Sequence, residues 1–196
     1  MILNGVSQYC EQILTTSKCA LLPFHNLEHT KEVVDNVKTI GEHEGFSKEE
    51  IETLQIAAWF HDTGFSETYS GHEEASIKIA KAFLSQNGLL KGRINKILSA
   101  IEATKMPQTA KNRLDAVLCD ADVYHIGTCD FFFKKLLLRL EWSLFNIMDI
   151  EDVEWHKLNR DFLHNHHFKT KYGKEVLEKV KTANEKKVNY ILSFWE

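Results

Sequence analysis

Helical spacing governs this chain. Between residues 27 and 40, Leu27, Thr30, Val33, Val34, Val37 and Ile40 recur at i, i+3, i+4 and i+7, the stripe that one buried helix face requires. Ser47 opens "SKEE" with Glu50 three residues on, a capping box, and the helix it starts runs through Ile51, Leu54, Ile56, Ala57 and Ala58. Ser70-Gly71-His72-Glu73 repeats that logic ahead of Ala75, Ile77, Ala80, Phe83 and Leu84, and Gly88 ends the run as a C-terminal cap. Further periodic stretches cover about 90–104, 111–121, 128–147, 152–168 and 174–195. With only two prolines and little strand-type alternation, the expectation is an all-α chain: a compact bundle of eight to nine helices joined by short turns.

The 196 residues suit one domain with a sizeable core. A net charge of −4 gives no electrostatic case for nucleic acid or an anionic membrane as the main partner. No apolar run approaches the roughly 18 residues of a membrane span, and the N-terminus lacks a basic start followed by an apolar stretch. Cys10, Cys19, Cys119 and Cys129 form no close pair, which reads as reduced thiols and a cytoplasmic location.

Polar groups interrupt this pattern at four places. "AAWFHDTGF" (57–65) ends an apolar helix on His61 and Asp62, two groups costly to bury unless paired. "FHNLEHT" (24–30) sets His25 and His29 four apart, on one helical face. "GHEEAS" places His72 and Glu73 in a first helical turn, and "LCDADV" closes an apolar run on Asp120 and Asp122. Imidazole and carboxylate are the usual ligands of divalent metals of intermediate softness. An ion so held, with positions left open, polarises a phosphoryl oxygen and acidifies water. Each histidine alone has a bland reading as a core or surface residue. The spacing of His25 and His29 also lacks the Glu of a zinc-protease helix.

Taken in order, "HNLEHTKEVV" (25–34), "AAWFHDTGF" (57–65), "GHEEASIKIAKAFL" (71–84), "ILSAIEATK" (97–105) and "LCDADVYHIG" (118–127) resemble the HD superfamily of metal-dependent phosphohydrolases. The likeness covers about residues 22–127, the metal-binding core of a single domain, with residues 128–196 as a C-terminal helical part. It implies a divalent ion between helices, with ligands matching His29, His61, Asp62 and Asp122. Asp120 is then a capping residue or one that orients a ligand, since two residues along a helix turn the side chain by about 200°. Branches similar to the diadenosine tetraphosphate hydrolases hold a second ion. His72 matches one of the added ligands, but "AIEATK" lacks the other, so the resemblance implies one firmly held ion and assigns His72 to a weak second site or to substrate.

Glu67 and Glu73 are candidates for positioning the attacking water. His25, Asn26, Thr104, Lys105 and His166 are candidates for touching substrate. His164 and His167 read as a surface pair, and His43 and His125 as structural. Two imidazoles, two carboxylates and water suit Mn²⁺, Fe²⁺, Co²⁺ or Ni²⁺ ahead of Zn²⁺. The expected activity is hydrolysis of a phosphoester or phosphoanhydride of a nucleotide-like small molecule. The alternatives are a slow, metal-loaded nucleotide sensor and a di-iron oxygenase, which needs the second ion. The oligomeric state is left open.

Overall fold

A computed structural model describes residues 2–195. Among them run nine α-helices and no strand: α1 (Ile2–Thr16), α2 (Leu27–His43), α3 (Lys48–Phe60), α4 (His72–Gln86), α5 (Lys91–Ala103), α6 (Arg113–Asp122), α7 (Phe131–Leu144), α8 (Asp152–Asn165) and α9 (Glu178–Leu192). Short 3-10 turns join several of them, and a π-helical turn at Gly173–Leu177 leads into α9. No helix of the described residues is long and apolar enough to cross a membrane.

α3 lies at the centre. From Thr53 to Phe60 every residue except Gln55 is buried, so this end of the helix is apolar nearly all round and must be enclosed. Around it, Val33, Val37 and Ile40 of α2, Ile97 and Ile101 of α5, and Val117 and Leu118 of α6 close the main core. α1 docks through Val6, Cys10 and Leu14, a four-residue spacing that is easily overlooked in sequence because it depends on counting a cysteine as apolar. A second cluster, built from Ile126, Phe131, Leu163, Phe168, Leu177 and Val188, sits beneath α8 and α9.

Helix caps orient the site. Ser47 and Glu50 form the expected capping box of α3. Gly88 has φ +72°; its N–H reaches the Ser85 carbonyl and the N–H of Leu89 that of Leu84, a Schellman closure of α4. The capping box expected at Ser70 is absent. Gly71 is the N-cap residue, at φ +73°, and this left-handed turn carries Ser70 away from the first helical turn, where its carbonyl accepts from the Thr68 hydroxyl instead.

α7 departs from the simple bundle. Its predicted apolar stripe is largely solvent-facing: Phe133, Leu136, Leu140 and Leu144 are exposed, and only Phe131 and the charged Glu141 are buried. Glu141 points back into the N-terminal half. One of its oxygens accepts from the backbone N–H groups of Phe24 and His25, the other from the Tyr69 hydroxyl and lies 2.5 Å from His25 Nδ1.

Candidate metal centre

Three chain segments bring the predicted polar groups together. Asn26 caps α2, its Oδ1 accepting from the N–H groups of Glu28 and His29, and so fixes the turn from which His29 projects inward. His61 and Asp62 follow the last turn of α3, where Phe60 anchors the chain in the core. Asp122 is the last residue of α6. Nε2 of His29 lies 3.3 Å from Asp122 Oδ1 and 3.5 Å from Asp62 Oδ2. Nε2 of His61 lies 3.0 Å from Asp62 Oδ2 and 3.7 Å from Asp122 Oδ1. His29, His61 and Asp122 each offer a ligand atom within 4.8 Å of the others.

Whether these groups suit a cation can be judged from their unmet needs. His29 Nε2, His61 Nε2 and Asp62 Oδ2 are fully buried and none has a hydrogen-bond partner in the described structure. Three orphaned polar atoms converging on one spot would be costly without a partner, and a cation satisfies all three. The His61 tautomer fits as well: Nδ1–H donates to the Ala58 carbonyl at 2.7 Å, which turns the Nε2 lone pair towards the cluster. Burial alone would push the His61 imidazolium down, but Asp62, helped by Asp122, lifts it to about 9. Burial would likewise raise Asp62, yet His61 and His72 pull it well below the usual carboxylate range.

Asp62 also faces the other way. Its Oδ1 lies 3.5 Å from His72 Nε2, while His72 Nδ1 sits 3.2 Å from the Tyr69 carbonyl and its ring stacks on Phe65. Glu73 Oε1 is 3.7 Å from the same His72 nitrogen. The contact between α4 and the His61-Asp62 turn requires Gly64: a Cβ there would collide with the His72 carbonyl oxygen, and the Gly64 N–H donates to Ser76 Oγ. The cluster is more open at Asp122 and His72, whose side chains are 18% and 19% exposed, than at His61, at 1%.

The remaining expected residues divide. Glu73 lies beside His72, but Glu67 is exposed at the end of the 3-10 turn and makes no ion pair with the described histidines. His25 stacks on Phe65 at the edge of the cluster, its Nδ1 engaged by Glu141. Asn26 does not face a substrate: its Oδ1 serves the two cap N–H groups and its Nδ2 donates to the carbonyls of Leu22 and Pro23, which exhausts the amide. Thr104 is buried and donates to the Ile101 carbonyl of its own helix. Lys105 is at the surface, paired with Glu74. His166 keeps a buried, unpartnered Nε2, and burial, with nearby Lys169, pushes it down to about 3, so its ring is neutral.

Asp120 orients no ligand. It is fully buried and accepts from the backbone N–H groups of Lys169 and Thr170 and from the Thr170 hydroxyl, binding the C-terminal part to α6. Two contributors are not evident from the sequence pattern. Gln108 donates to Asp122 Oδ2 at 3.4 Å, from a loop without periodicity. Glu141 has one available signal: it is an acid within "FFFKKLLLRLEWSLF", otherwise apolar or basic apart from Ser143.

An all-α fold with histidines and carboxylates gathered at helix ends defines a candidate divalent-metal centre. The HD domain family model matches residues 26–127, more than half of the chain, and the protein belongs to that family. No curated protein and no solved structure matches it. Membership carries the general property of the family, a divalent-metal-binding domain of the metal-dependent phosphohydrolase superfamily.

Proposed function

We propose that this protein is a phosphohydrolase acting on a phosphoester or phosphoanhydride bond of a small, nucleotide-like substrate, working in the cytoplasm as one unit over residues 1–196. The ion is held by His29, His61, Asp62 and Asp122. The observation that carries this reading is the convergence of three buried atoms without hydrogen-bond partners, on two imidazoles and one carboxylate, beside Asp122. A bound divalent ion supplies Lewis acidity towards a phosphoryl oxygen and acidifies water. The protein does the rest. Ala58 fixes the His61 tautomer, Asp62 presents one oxygen to each side, and the more open edge at Asp122 and His72 admits substrate. His72 contacts substrate or a second, weaker ion, and Glu73 is the acid best situated to orient water. Mn²⁺, Fe²⁺, Co²⁺ and Ni²⁺ suit this donor set ahead of Zn²⁺.

The test is metal content by mass spectrometry on protein purified without chelator, together with turnover of a nucleotide panel and a generic phosphoester under added Mn²⁺ or Co²⁺. About one ion per chain with turnover is expected. His61→Ala and Asp62→Ala lose the ion while remaining helical; unchanged metal content in either variant sinks the site. One observation favours a second reading, a metal-loaded nucleotide sensor: Glu67 stands in solvent, which leaves Glu73 as the one acid of the two candidates near the cluster. Nucleotide binding without turnover would select it. A metal stoichiometry of one would exclude a di-iron oxygenase.

A further inference from the structure

Three donors that the metal cluster does not use come from the C-terminal part: Lys135 and His166 flank Phe162, and Lys169 is linked to Asp122 through Gln108. Lys135 of α7 makes no ion pair among the described residues; its ammonium lies 4.6 Å from the centre of the Phe162 ring. The carboxylate whose charge acts on it is Asp122, and burial still pulls its pKa down to about 8. His166 also stacks on Phe162, at 5.6 Å, with its Nε2 buried and unpartnered, and it too feels the charge of Asp122. Lys169 approaches from the next loop. Its Nζ donates to Gln108 Oε1 at 3.1 Å, and the amide of Gln108 in turn donates to Asp122 Oδ2. Its backbone is fixed by Asp120.

A lysine without an acidic partner, sunk against an aromatic ring, is a costly structural device but a ready anion site. With it stand the unpartnered Nε2 of His166, across the same Phe162 ring, and Lys169, which is tied through Gln108 to Asp122 at the more open end of the metal cluster. The charges can be counted. A divalent ion is neutralised by Asp62 and Asp122, and Glu73 lies on the far side beside His72. The buried Asp120 carboxylate, which feels the charge of Lys169, offsets one of the two lysines, so Lys135 and Lys169 leave one positive charge unmatched.

We propose that Lys135, Lys169 and His166 form a phosphate-holding wall, and that they select a dianionic phosphomonoester over a monoanionic diester. This rests on reading the site as a phosphohydrolase centre. The two parts of the chain then divide the work: the metal ligands come from residues 29–122, while the groups that recognise the phosphate come from residues 135–169.

Calorimetric titration tests the wall apart from turnover. Inorganic phosphate, phenyl phosphate and diphenyl phosphate are titrated into the full chain with and without Mn²⁺. The proteins compared are wild type, Lys135→Met, Lys169→Met, His166→Phe and the control Lys157→Met, whose lysine pairs with Glu154 on the surface. Methionine keeps the stem that packs on Phe162, and phenylalanine keeps the ring stack. Each lysine variant should weaken phosphate binding at least about tenfold, the loss of one charge-assisted hydrogen bond. His166→Phe should weaken it less, and the control should not change. Wild type should bind phenyl phosphate at least about tenfold more tightly than diphenyl phosphate. Equal binding of phosphate by wild type and both lysine variants, or no phosphate binding at all, overturns the wall; equal affinity for the two phenyl esters overturns the monoester preference. Separate Mn²⁺ titrations judge the metal site. If wild type takes up no Mn²⁺, the metal reading fails, and lysine-dependent phosphate binding still supports the wall.

Discussion

Glu141 holds His25 twice, by an oxygen 2.5 Å from the imidazole Nδ1 and by another accepting the backbone N–H at 2.9 Å. The pair spans 116 residues of chain and secures the turn that delivers His29. Burial would raise the Glu141 carboxyl, but the His25 side chain and the backbone N–H groups of His25 and Phe24 bring it below its ordinary 4.5. A carboxylate lowered in the folded state stabilises above its unfolded pKa, and that stabilisation is lost as pH falls below about 4.5. Glu141→Gln should therefore cost on the order of 2 kcal/mol at pH 7. The gap to wild type should narrow towards pH 3. Urea denaturation at both pH values checks this, and a pH-independent gap would contradict it.

In the metal-free protein His61 is lifted to about 9 and already donates through Nδ1 to Ala58, so at neutral pH the second proton sits on Nε2, facing the cluster. A metal must displace that proton. The apparent affinity for Mn²⁺ should rise about tenfold from pH 7 to pH 8, with about one proton released per ion. Titrations in two buffers of different ionisation enthalpy would reveal the proton; an affinity flat with pH would show that His61 carries no proton for the ion to displace.

Asp120 and Asp122 stand two residues apart and should respond in opposite ways. Asp122→Ala removes a candidate ligand whose side chain is 18% exposed, so metal retention falls with little change in unfolding midpoint. Asp120→Ala strands the N–H groups of Lys169 and Thr170 and should cost about 2 kcal/mol or more, while the folded fraction still takes up metal. Melting curves and metal content on the same two samples separate the roles.

Gly64→Ala should loosen the joint between the His61-Asp62 turn and α4, because the new methyl would strike the His72 carbonyl. A loss of about 1–3 kcal/mol is expected, as for an overpacked interior. Metal retention should weaken too, since His72 and Asp62 move apart. Unchanged stability would mean that α4 shifts freely at this contact.

The helices were legible because their buried faces follow a 3.6-residue period: the stripe from Leu27 to Ile40 and the box at Ser47 and Glu50 lie as expected. The cluster itself was legible only because four residues from three helices match one family's order. Their convergence depends on tertiary packing, which spacing along the chain does not encode. Polar roles proved hardest to read. Asn26 and Thr104 spend their side chains on backbone groups a few residues away, local contacts that look identical in sequence to a substrate contact, and Lys105 finds Glu74 across 31 residues of chain. Gln108 gave no sign, because loops carry no period.

The two buried carboxylates, Asp120 and Glu141, cross in opposite directions. Asp120 belongs to the family-matched segment and is satisfied by residues 169 and 170; Glu141 lies outside it and satisfies residues 24 and 25. Each half thus carries an ionisable group whose solvation is supplied by the other. A fragment cut at residue 127 would keep Asp120 without its donors and lose the acceptor for the turn before α2. We therefore expect the unit that can be excised, grafted or permuted to be larger than the stretch by which the family is recognised.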